Sequence, residues 1–337
     1  MSVKILLFLN KFFKLPLHPF NMQNDGIKKY SMWQYEKGIE TIKNYLEFCS
    51  IDEMFKNKDI LDVGCGAAGK SLYYLSQGAN SVIGLDVVES YKKEAYDLQR
   101  KLGLDGFTFV VGDAAKTLFE DNSFDNIIMN DAMEHVDKPE DVLRELYRVL
   151  KPGGRLYINF PPYNHPFGAH LSDAIGIPWV HLLFSDKTLI KAYKQLVKNL
   201  PDGENRIKFR ISVNESGEEY FSYINKMTIK RFHKLLETTL FKIKYYNEVP
   251  LRKIFSAFVN KKFFKDCFVK MVVRVCLKSD FNFFFFNKWY QPLINCNVIK
   301  AFVKIHKGFS YISIDLFPVS LYNKFWYAPR LYWKQRF

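Results

Sequence analysis

Three of the seven histidines and one aspartate lie within seventeen positions in the stretch NFPPYNHPFGAHLSDAIGIPWVHLLF, residues 159–184. They are His165, His170, Asp173 and His181. Imidazole titrates close to neutral pH and is also a common metal ligand. This stretch could therefore supply a base for proton transfer or hold a metal ion, and the elements around it have to decide between the two.

A second group of residues surrounds a glycine loop. In ILDVGCGAAGKSL, Gly64, Gly66 and Gly69 fall between an apolar run and a helical pattern, where glycine lets the backbone turn sharply and approach a ligand. Asp86 ends the next apolar run, where a carboxylate can accept ribose hydroxyls. Asp62 stands two positions before the first glycine. A carboxylate there repels a dinucleotide pyrophosphate and favours a ligand that carries an ammonium and a sulfonium group.

The segments around this loop alternate between the patterns of strands and helices. The predicted strands are KDILDVGCG, SVIGLDVV, FTFVVGDA, FDNIIMNDA and RLYINF, and a helix is predicted between most of them. YEKGIETIKNYLEFC predicts one helix over 35–49, and SDKTLIKAYKQLVKNL predicts another over 185–200. Apolar strands that alternate with helices indicate a doubly wound α/β fold with a mainly parallel sheet.

Residues from about 55 to 160 resemble class I S-adenosylmethionine-dependent methyltransferases. The resemblance rests on LDVGCGAAG, GLDVV, GDA, FDNIIMNDAMEHV and VLKPGGRLYINF, taken in this order over about a hundred residues. It implies a Rossmann-like sheet of seven strands with an antiparallel edge. FKIKYYNEV and CFVKMVVRVCLK would supply the sixth and seventh strands.

The resemblance also implies the residues that bind S-adenosylmethionine. Asp62 would contact its amino group, Asp86 its ribose and Asp113 its adenine, while Asn130 and Asp131 would flank the sulfonium. The full implied set is Asp62, Gly64, Cys65, Gly66, Gly69, Asp86, Val87, Asp113, Ala114, Asn130 and Asp131.

The histidine stretch follows the fifth strand, where substrates enter this fold. The candidate bases are His135, His165 and His170. The gaps of 5, 3 and 8 residues among its histidines and aspartate match no compact ligand pair on one helix, so we predict no metal. NFPPY has an extra Phe160 and follows the fifth strand, so it fails as the Asn/Asp-Pro-Pro-aromatic signature of enzymes that methylate nucleobase amines. Hydrogen-bonding histidines in a structural lid, and a scaffold role for His135, remain open alternatives.

The positive charge is concentrated in the C-terminal quarter. Residues 250–337 contain 16 Lys and Arg but 3 Asp and Glu, and 23 of the 57 aromatic residues. The part of this quarter beyond the last predicted strand, residues 279–337, could bind an anionic membrane surface or a lipid-linked substrate, pack as a cap on the core, or, less favoured, bind nucleic acid. The five cysteines have no Cys-x-x-Cys spacing, and the sequence has no pattern of a signal peptide or of a membrane-spanning segment. We therefore expect a cytoplasmic protein, with peripheral membrane association as a further option.

We therefore expect an N-terminal arm and helix (1–50) that cover the cofactor or the substrate, a methyltransferase domain (51–278) with an insertion (161–225), and a basic aromatic extension (279–337). In the arm, YSMWQYEKG could close over the cofactor through Tyr30, Trp33 and Tyr35, or anchor the arm on the core. The expected activity is methylation of a small or lipid-linked molecule, at oxygen, with a histidine base. The alternatives are an RNA methyltransferase that uses the basic extension, and a cofactor-binding regulatory or scaffold protein without transfer chemistry.

Overall fold

The computed structural model describes residues 2–16, 18–24, 26, 28–250 and 327–334. The chain divides into two compact units, Met1–Val180 with Asp186–Asn247 and Ala328–Phe337, and His181–Ser185 with Glu248–Tyr327. Nearly all of the described residues belong to the first unit. Within the described part of the chain, none of the helices combines the length and the apolar character needed to cross a membrane.

Helices and strands alternate through most of the first unit. The helices are α1 (Ser2–Asn10), α2 (Pro19–Asn24), α3 (Tyr30–Glu36), α4 (Gly38–Ile42), α5 (Ile51–Phe55), α6 (Gly69–Ser76), α7 (Tyr91–Leu102), α8 (Pro139–Val149), α9 (Val180–Leu183), α10 (Asp186–Val197), α11 (Gly203–Arg210) and α12 (Ile229–Glu237). A 3-10 turn covers Tyr45–Glu47. The strands are β1 (Asp59–Val63), β2 (Ser81–Asp86), β3 (Phe107–Val111), β4 (Phe124–Asn130), β5 (Leu150–Asn159), β6 (Ile211–Val213), β7 (Glu219–Phe221), β8 (Lys242–Pro250) and β9 (Tyr327–Lys334).

The central sheet confirms the predicted doubly wound α/β fold. Five parallel strands lie in the order β3-β2-β1-β4-β5. Strand β9 pairs antiparallel with β5, and β8 follows it in the sheet order. Strand β8 coincides with the predicted strand FKIKYYNEV. CFVKMVVRVCLK (267–278) lies outside the described residues. Its place as the seventh strand of the sheet therefore stays a prediction.

The parallel strands are apolar because both of their faces are covered. Leu61 and Ile127 contribute to one buried cluster, in which side chains of α8 and α12 also take part. Their neighbours Ile60 and Ile128 contribute to a second cluster, together with side chains of α5, α6 and α7. Successive residues of a strand point to opposite faces, so a strand buried on both sides reads as a continuous apolar run.

The helix predicted over 35–49 is interrupted. Helix α3 ends at Glu36, α4 begins at Gly38, and the 3-10 turn follows. A Cβ atom on Gly38 would lie 2.1 Å from Cγ of Tyr73, so α4 and α6 approach each other at a point where a side chain has no room. Helical periodicity along the segment does not report this long-range contact.

The insertion contains more structure than the sequence predicts. Helix α10 confirms the helix predicted over 185–200. Helices α9 and α11 and the antiparallel hairpin of β6 and β7 were not predicted. Helix α11, GENRIKFR, has no continuous apolar stripe, because its buried residues are Gly203, Arg206 and Arg210. The two buried arginines explain why apolar periodicity fails to find it.

Candidate active site

The glycine loop lies between β1 and α6 and is held against the turn that follows β4. Gly64 (φ 71°) and Gly66 (φ 56°) adopt left-handed backbone conformations, which glycine reaches without steric cost. A Cβ atom on Gly64 would lie 2.5 Å from Cβ of Ala132. Glycine at position 64 therefore allows the loop to approach the end of β4, and Cys65 between the two glycines is buried.

Asp62 is a buried carboxyl group at the end of β1. It accepts a hydrogen bond from Ser71 Oγ at 2.6 Å. Burial raises the pKa of Asp62 to about 6, and the hydrogen bond from Ser71 opposes this increase. A ligand ammonium placed beside Asp62 would stabilise the ionised carboxylate, as expected for the amino group of S-adenosylmethionine.

Asp86 connects the end of β2 to the glycine loop. Its Oδ2 accepts the Gly66 N–H at 2.8 Å, and its Oδ1 accepts the Val88 N–H at 2.9 Å. Burial raises the pKa of Asp86, while these backbone hydrogen bonds favour the ionised form. Each carboxylate oxygen has a second lone pair, so both can still accept a hydroxyl group of a ligand.

The predicted adenine contacts follow β2 and β3. Val87 comes directly after Asp86 and is 70% exposed, which is unusual for valine. Asp113 is exposed, and its Oδ1 accepts the Ala115 N–H at 2.8 Å, whereas Ala114 is buried. Because β2 and β3 are parallel neighbours, these residues lie at the same edge of the sheet as the glycine loop.

The two polar residues at the end of β4 have different environments. Asn130 is buried, its Oδ1 accepts the Tyr45 hydroxyl at 2.6 Å, and its Nδ2 donates to the Tyr74 hydroxyl at 3.2 Å. Both ends of its amide are thus hydrogen-bonded inside the protein. Asp131 is exposed, has a left-handed backbone (φ 54°), and accepts a hydrogen bond from Lys70 Nζ at 3.1 Å. The adjacent cavity, of about 280 Å³, is lined by Trp33, Lys37, Glu40, Thr41, Asp131 and Asn159.

Helix α3 covers the glycine loop. Gln34 is buried, its Nε2 donates to the Cys65 carbonyl at 3.2 Å, and its Oε1 accepts the Gly69 N–H at 3.2 Å. A Cβ atom on Gly66 would lie 3.3 Å from the Tyr30 hydroxyl. The sequence pointed to the aromatic residues of this segment but not to Gln34, whose only signal was an amide placed between aromatic side chains.

The turn after β4 brings Glu134 and two of the predicted histidines together. Nε2 of His135 lies 3.8 Å from Oε1 of Glu134, and Nε2 of His170 lies 3.6 Å from the same oxygen. The two imidazole rings meet edge to face, with centroids 4.8 Å apart. Nδ1 of His135 lies 2.6 Å from the Tyr223 carbonyl, so this nitrogen carries the proton and Nε2 is the acceptor in the neutral ring.

Burial disfavours the charged form of each of these three groups. It lowers the pKa of His135, although the hydrogen bond to the Tyr223 carbonyl acts in the opposite direction. It lowers the pKa of His170 well below the usual value, and the neighbouring His135 adds to the effect. It also raises the pKa of Glu134 far above its usual value. Both carboxyl oxygens of Glu134 are buried, and among the described residues neither has a hydrogen-bond partner, so this group is available to an incoming proton or cation.

The segment that contains these groups is fixed by two polar residues of the insertion. Nδ2 of Asn225 donates to the carbonyls of Met133 at 2.8 Å and Val136 at 2.7 Å. Nε of Arg210 donates to the carbonyl of His170 at 3.4 Å, where the His170 backbone is left-handed (φ 49°). The insertion therefore positions both histidines, and neither support was visible in the sequence.

The histidines and aspartate of 159–184 do not form the metal site that their clustering suggested. Asp173 pairs with Arg206 Nη1 at 3.1 Å and Arg210 Nη2 at 3.2 Å, and Nδ1 of His165 accepts the Phe167 N–H at 3.1 Å. His181 lies on α9. Among the described residues, the group close enough to hold a metal ion consists of Glu134, His135 and His170. The sequence did not single out Glu134. As an acid in the turn DAMEHV, directly before His135, it could have been considered as a third member of a metal-binding group.

Residues 61–158 match the family model of a methyltransferase domain. The chain is 33% identical over 122 residues to phosphoethanolamine N-methyltransferase 3 of Arabidopsis thaliana, covering 36% of this chain and 24% of that protein. It is 39% identical over 102 residues to 24-methylenesterol C-methyltransferase 2 of the same organism, covering 30% and 28%. It is 32% identical over 145 residues to the chloroplastic tocopherol O-methyltransferase of the same organism, covering 42% of each protein. The chain thus spans less than half the length of each of these relatives, whose names specify three different acceptor atoms.

Proposed function

We propose that this chain, a member of the class I S-adenosylmethionine-dependent methyltransferase superfamily, transfers a methyl group to an oxygen atom of a small or lipid-linked acceptor. The proposal of methyl transfer rests on the match of residues 61–158 together with the buried Asp62 and the partly buried Asp86 beside the glycine loop. The choice of oxygen rests on one observation, the pair formed by His135 and His170. Relatives with nitrogen, carbon and oxygen in their names leave this choice open, so the chemistry of the site has to make it.

Asp62 and Asp86 carry the cofactor side of the proposal. S-Adenosylmethionine supplies an electrophilic methyl group on a sulfonium that is already a good leaving group. The protein therefore has to align the acceptor with the methyl group and exclude water. Asp62 would hold the amino group and Asp86 the ribose, while α3 covers the loop through Gln34.

The histidine pair carries the acceptor side. A hydroxyl becomes a good nucleophile when a base accepts its proton as the new bond to carbon forms. His135 offers its Nε2 lone pair, because Nδ1 is hydrogen-bonded to the Tyr223 carbonyl. His170 lies next to it and is also neutral near pH 7 because its pKa is low. We assign proton acceptance to one of these rings, and we assign Glu134 to stabilising the imidazolium that results.

The test is methyl transfer from radiolabelled S-adenosylmethionine to lipid, polysaccharide and RNA fractions of a cell extract, followed by identification of the labelled product. We expect label in a lipid or small-molecule fraction, as a methyl ether or ester. With this acceptor, His135→Gln or His170→Gln should lower turnover by about 10²–10⁴-fold. His233→Gln is the matched control, because His233 is exposed and hydrogen-bonded to Tyr246. Unchanged turnover in both site variants would refute the base.

The same assay separates the competing functions. Label in RNA would favour an RNA methyltransferase, and cofactor binding without transfer to any fraction would favour a regulatory or scaffold protein. If a chelator abolishes turnover and a divalent metal restores it, Glu134, His135 and His170 hold a metal and the proposed base is wrong.

The proposed binding of 279–337 to an anionic membrane concerns residues that lie outside the described part of the chain, except for the strand β9. It is tested by deleting 279–326 and measuring vesicle binding.

A further inference from the structure

Helix α1 is firmly attached to the protein by one of its faces. Leu6 is completely buried, and Ser2 Oγ lies 3.2 Å from Thr188 Oγ1 on α10. Nδ2 of Asn10 donates to the Ala174 carbonyl at 2.9 Å, and its Oδ1 accepts the Gly176 N–H at 2.8 Å. These contacts fix which side of α1 faces away from the core.

The outward side of α1 and of the turn after it is apolar. Ile5 is 44% exposed, Phe8 is 58% exposed and Phe12 is 43% exposed. The spacing of three and four residues places them on one side, and the rings of Phe8 and Phe12 meet edge to face with centroids 5.2 Å apart. Large apolar side chains that share one exposed side mark an interaction surface more often than isolated ones do.

Lysines surround this stripe. Lys4, Lys11 and Lys14 are exposed, and residues 2–16 contain no Asp or Glu. In the described part of the chain, none of the three forms an ion pair. Lys11 also borders a groove of about 480 Å³ between α1 and α10, with Lys198 on the other side. Leu7 and Leu196 contribute apolar lining to this groove.

We propose that Ile5, Phe8 and Phe12, together with Lys4, Lys11 and Lys14, form a docking surface for an anionic lipid bilayer. We call it the α1 surface. Phenylalanine and isoleucine side chains can enter the boundary between headgroups and acyl chains, while lysines reach the phosphates with their ammonium groups. Charge complementarity selects the bilayer, because the surface offers cations and apolar side chains without a single carboxylate. Residues 2–16 contain no Asp or Glu that would be repelled by anionic headgroups.

This inference is independent of the proposed function, because docking needs neither the cofactor nor an acceptor. The experiment is co-sedimentation of the full chain with vesicles of phosphatidylcholine alone, and with vesicles of equal parts phosphatidylcholine and phosphatidylglycerol. We expect binding to the anionic vesicles that weakens as salt is raised. Replacing Lys4, Lys11 and Lys14 together by alanine should weaken it by about 100-fold, since each lysine near such a surface contributes about fivefold. Phe8→Ser with Phe12→Ser should weaken it by at least about tenfold.

Matched controls separate the α1 surface from general charge and apolarity. Replacing Lys92, Lys93 and Lys101 of α7 by alanine removes the same charge, and Leu240→Ser with Ile243→Ser removes two other exposed apolar side chains. Both controls should keep wild-type binding, and all variants should keep the wild-type midpoint of thermal unfolding. Equal losses in controls and α1 variants, equal binding to both kinds of vesicle, or binding lost only on deletion of 279–326 would overturn the proposal. Binding to single-stranded RNA but not to vesicles would do so as well.

Discussion

The proposed contact of Asp62 with the amino group of S-adenosylmethionine predicts a dependence of cofactor binding on pH that can be calculated. The carboxyl group is fully buried, and burial raises its pKa to about 6. A ligand ammonium binds the ionised form, so protonation of Asp62 competes with binding. The dissociation constant should therefore be constant above about pH 7 and rise about tenfold for each pH unit below 6. At pH 5 it should be about 11 times the value at pH 8.

Calorimetric titration with S-adenosylhomocysteine measures this effect, because this product has the same amino group and cannot transfer a methyl group. The titration should run from pH 5 to pH 8, in two buffers of different ionisation enthalpy at each pH. At pH 5.5 the difference between the buffers should show release of most of one proton on binding. Below pH 5 the affinity should keep falling, provided that the protein remains folded in the same buffers.

Two variants show whether Asp62 is the group responsible. Asp62→Asn removes the titrating group and should make the affinity independent of pH over this range, with weaker binding at pH 8. Ser71→Ala removes a hydrogen bond that lowers the pKa of Asp62, so the fall in affinity should begin at a higher pH. His135→Gln should keep the wild-type profile. A flat profile in the wild type, or an unchanged profile in Asp62→Asn, would refute the reasoning.

Three further predictions concern the ligand-free protein and the loop. The raised pKa of Asp62 means that the folded state holds its proton to a higher pH than the unfolded chain does, so the wild type loses stability as the pH rises. Relative to the wild type, Asp62→Asn should therefore gain about 2 kcal/mol in unfolding free energy from pH 4 to pH 7, measured by urea unfolding. Gly64→Ala should lower the free energy of unfolding by more than about 2 kcal/mol. Gly103→Ala, at φ 63° but with open space around the glycine, should lower it by about 1 kcal/mol. Equal losses would contradict the steric explanation. Gln34→Ala should weaken S-adenosylhomocysteine binding about tenfold in the same titration, while Gln77→Ala on the half-buried end of α6 should not, because Gln34 makes two buried hydrogen bonds to the loop.

Part of the fold and the geometry of the glycine loop were predictable because their signals are local. Gly64 and Gly66 are required by the backbone of a single turn, and Asp62 and Asp86 follow from their distance to that turn or to the end of a strand. Apolar runs that alternate with helical patterns predicted the five parallel strands and the doubly wound fold, but not the order of the strands in the sheet. The close approach of Gly38 to Tyr73 was not predictable, because Tyr73 lies on another helix.

The cluster that we propose as the acceptor side was decided by tertiary structure. The sequence determined that His135 follows the fourth strand and that His170 follows the fifth. It did not show that both histidines meet at Glu134. Parallel strands bring together the residues that follow their ends, however long the chain between the strands is. Spacing along the sequence does not show which of these residues meet. Asp173 stood beside His170 in the sequence but pairs with Arg210 instead. Spacing along the sequence describes neighbours within one helix, strand or turn, whereas this cluster joins residues more than thirty positions apart. Only the packing of the insertion onto the sheet selects the residues that form the cluster.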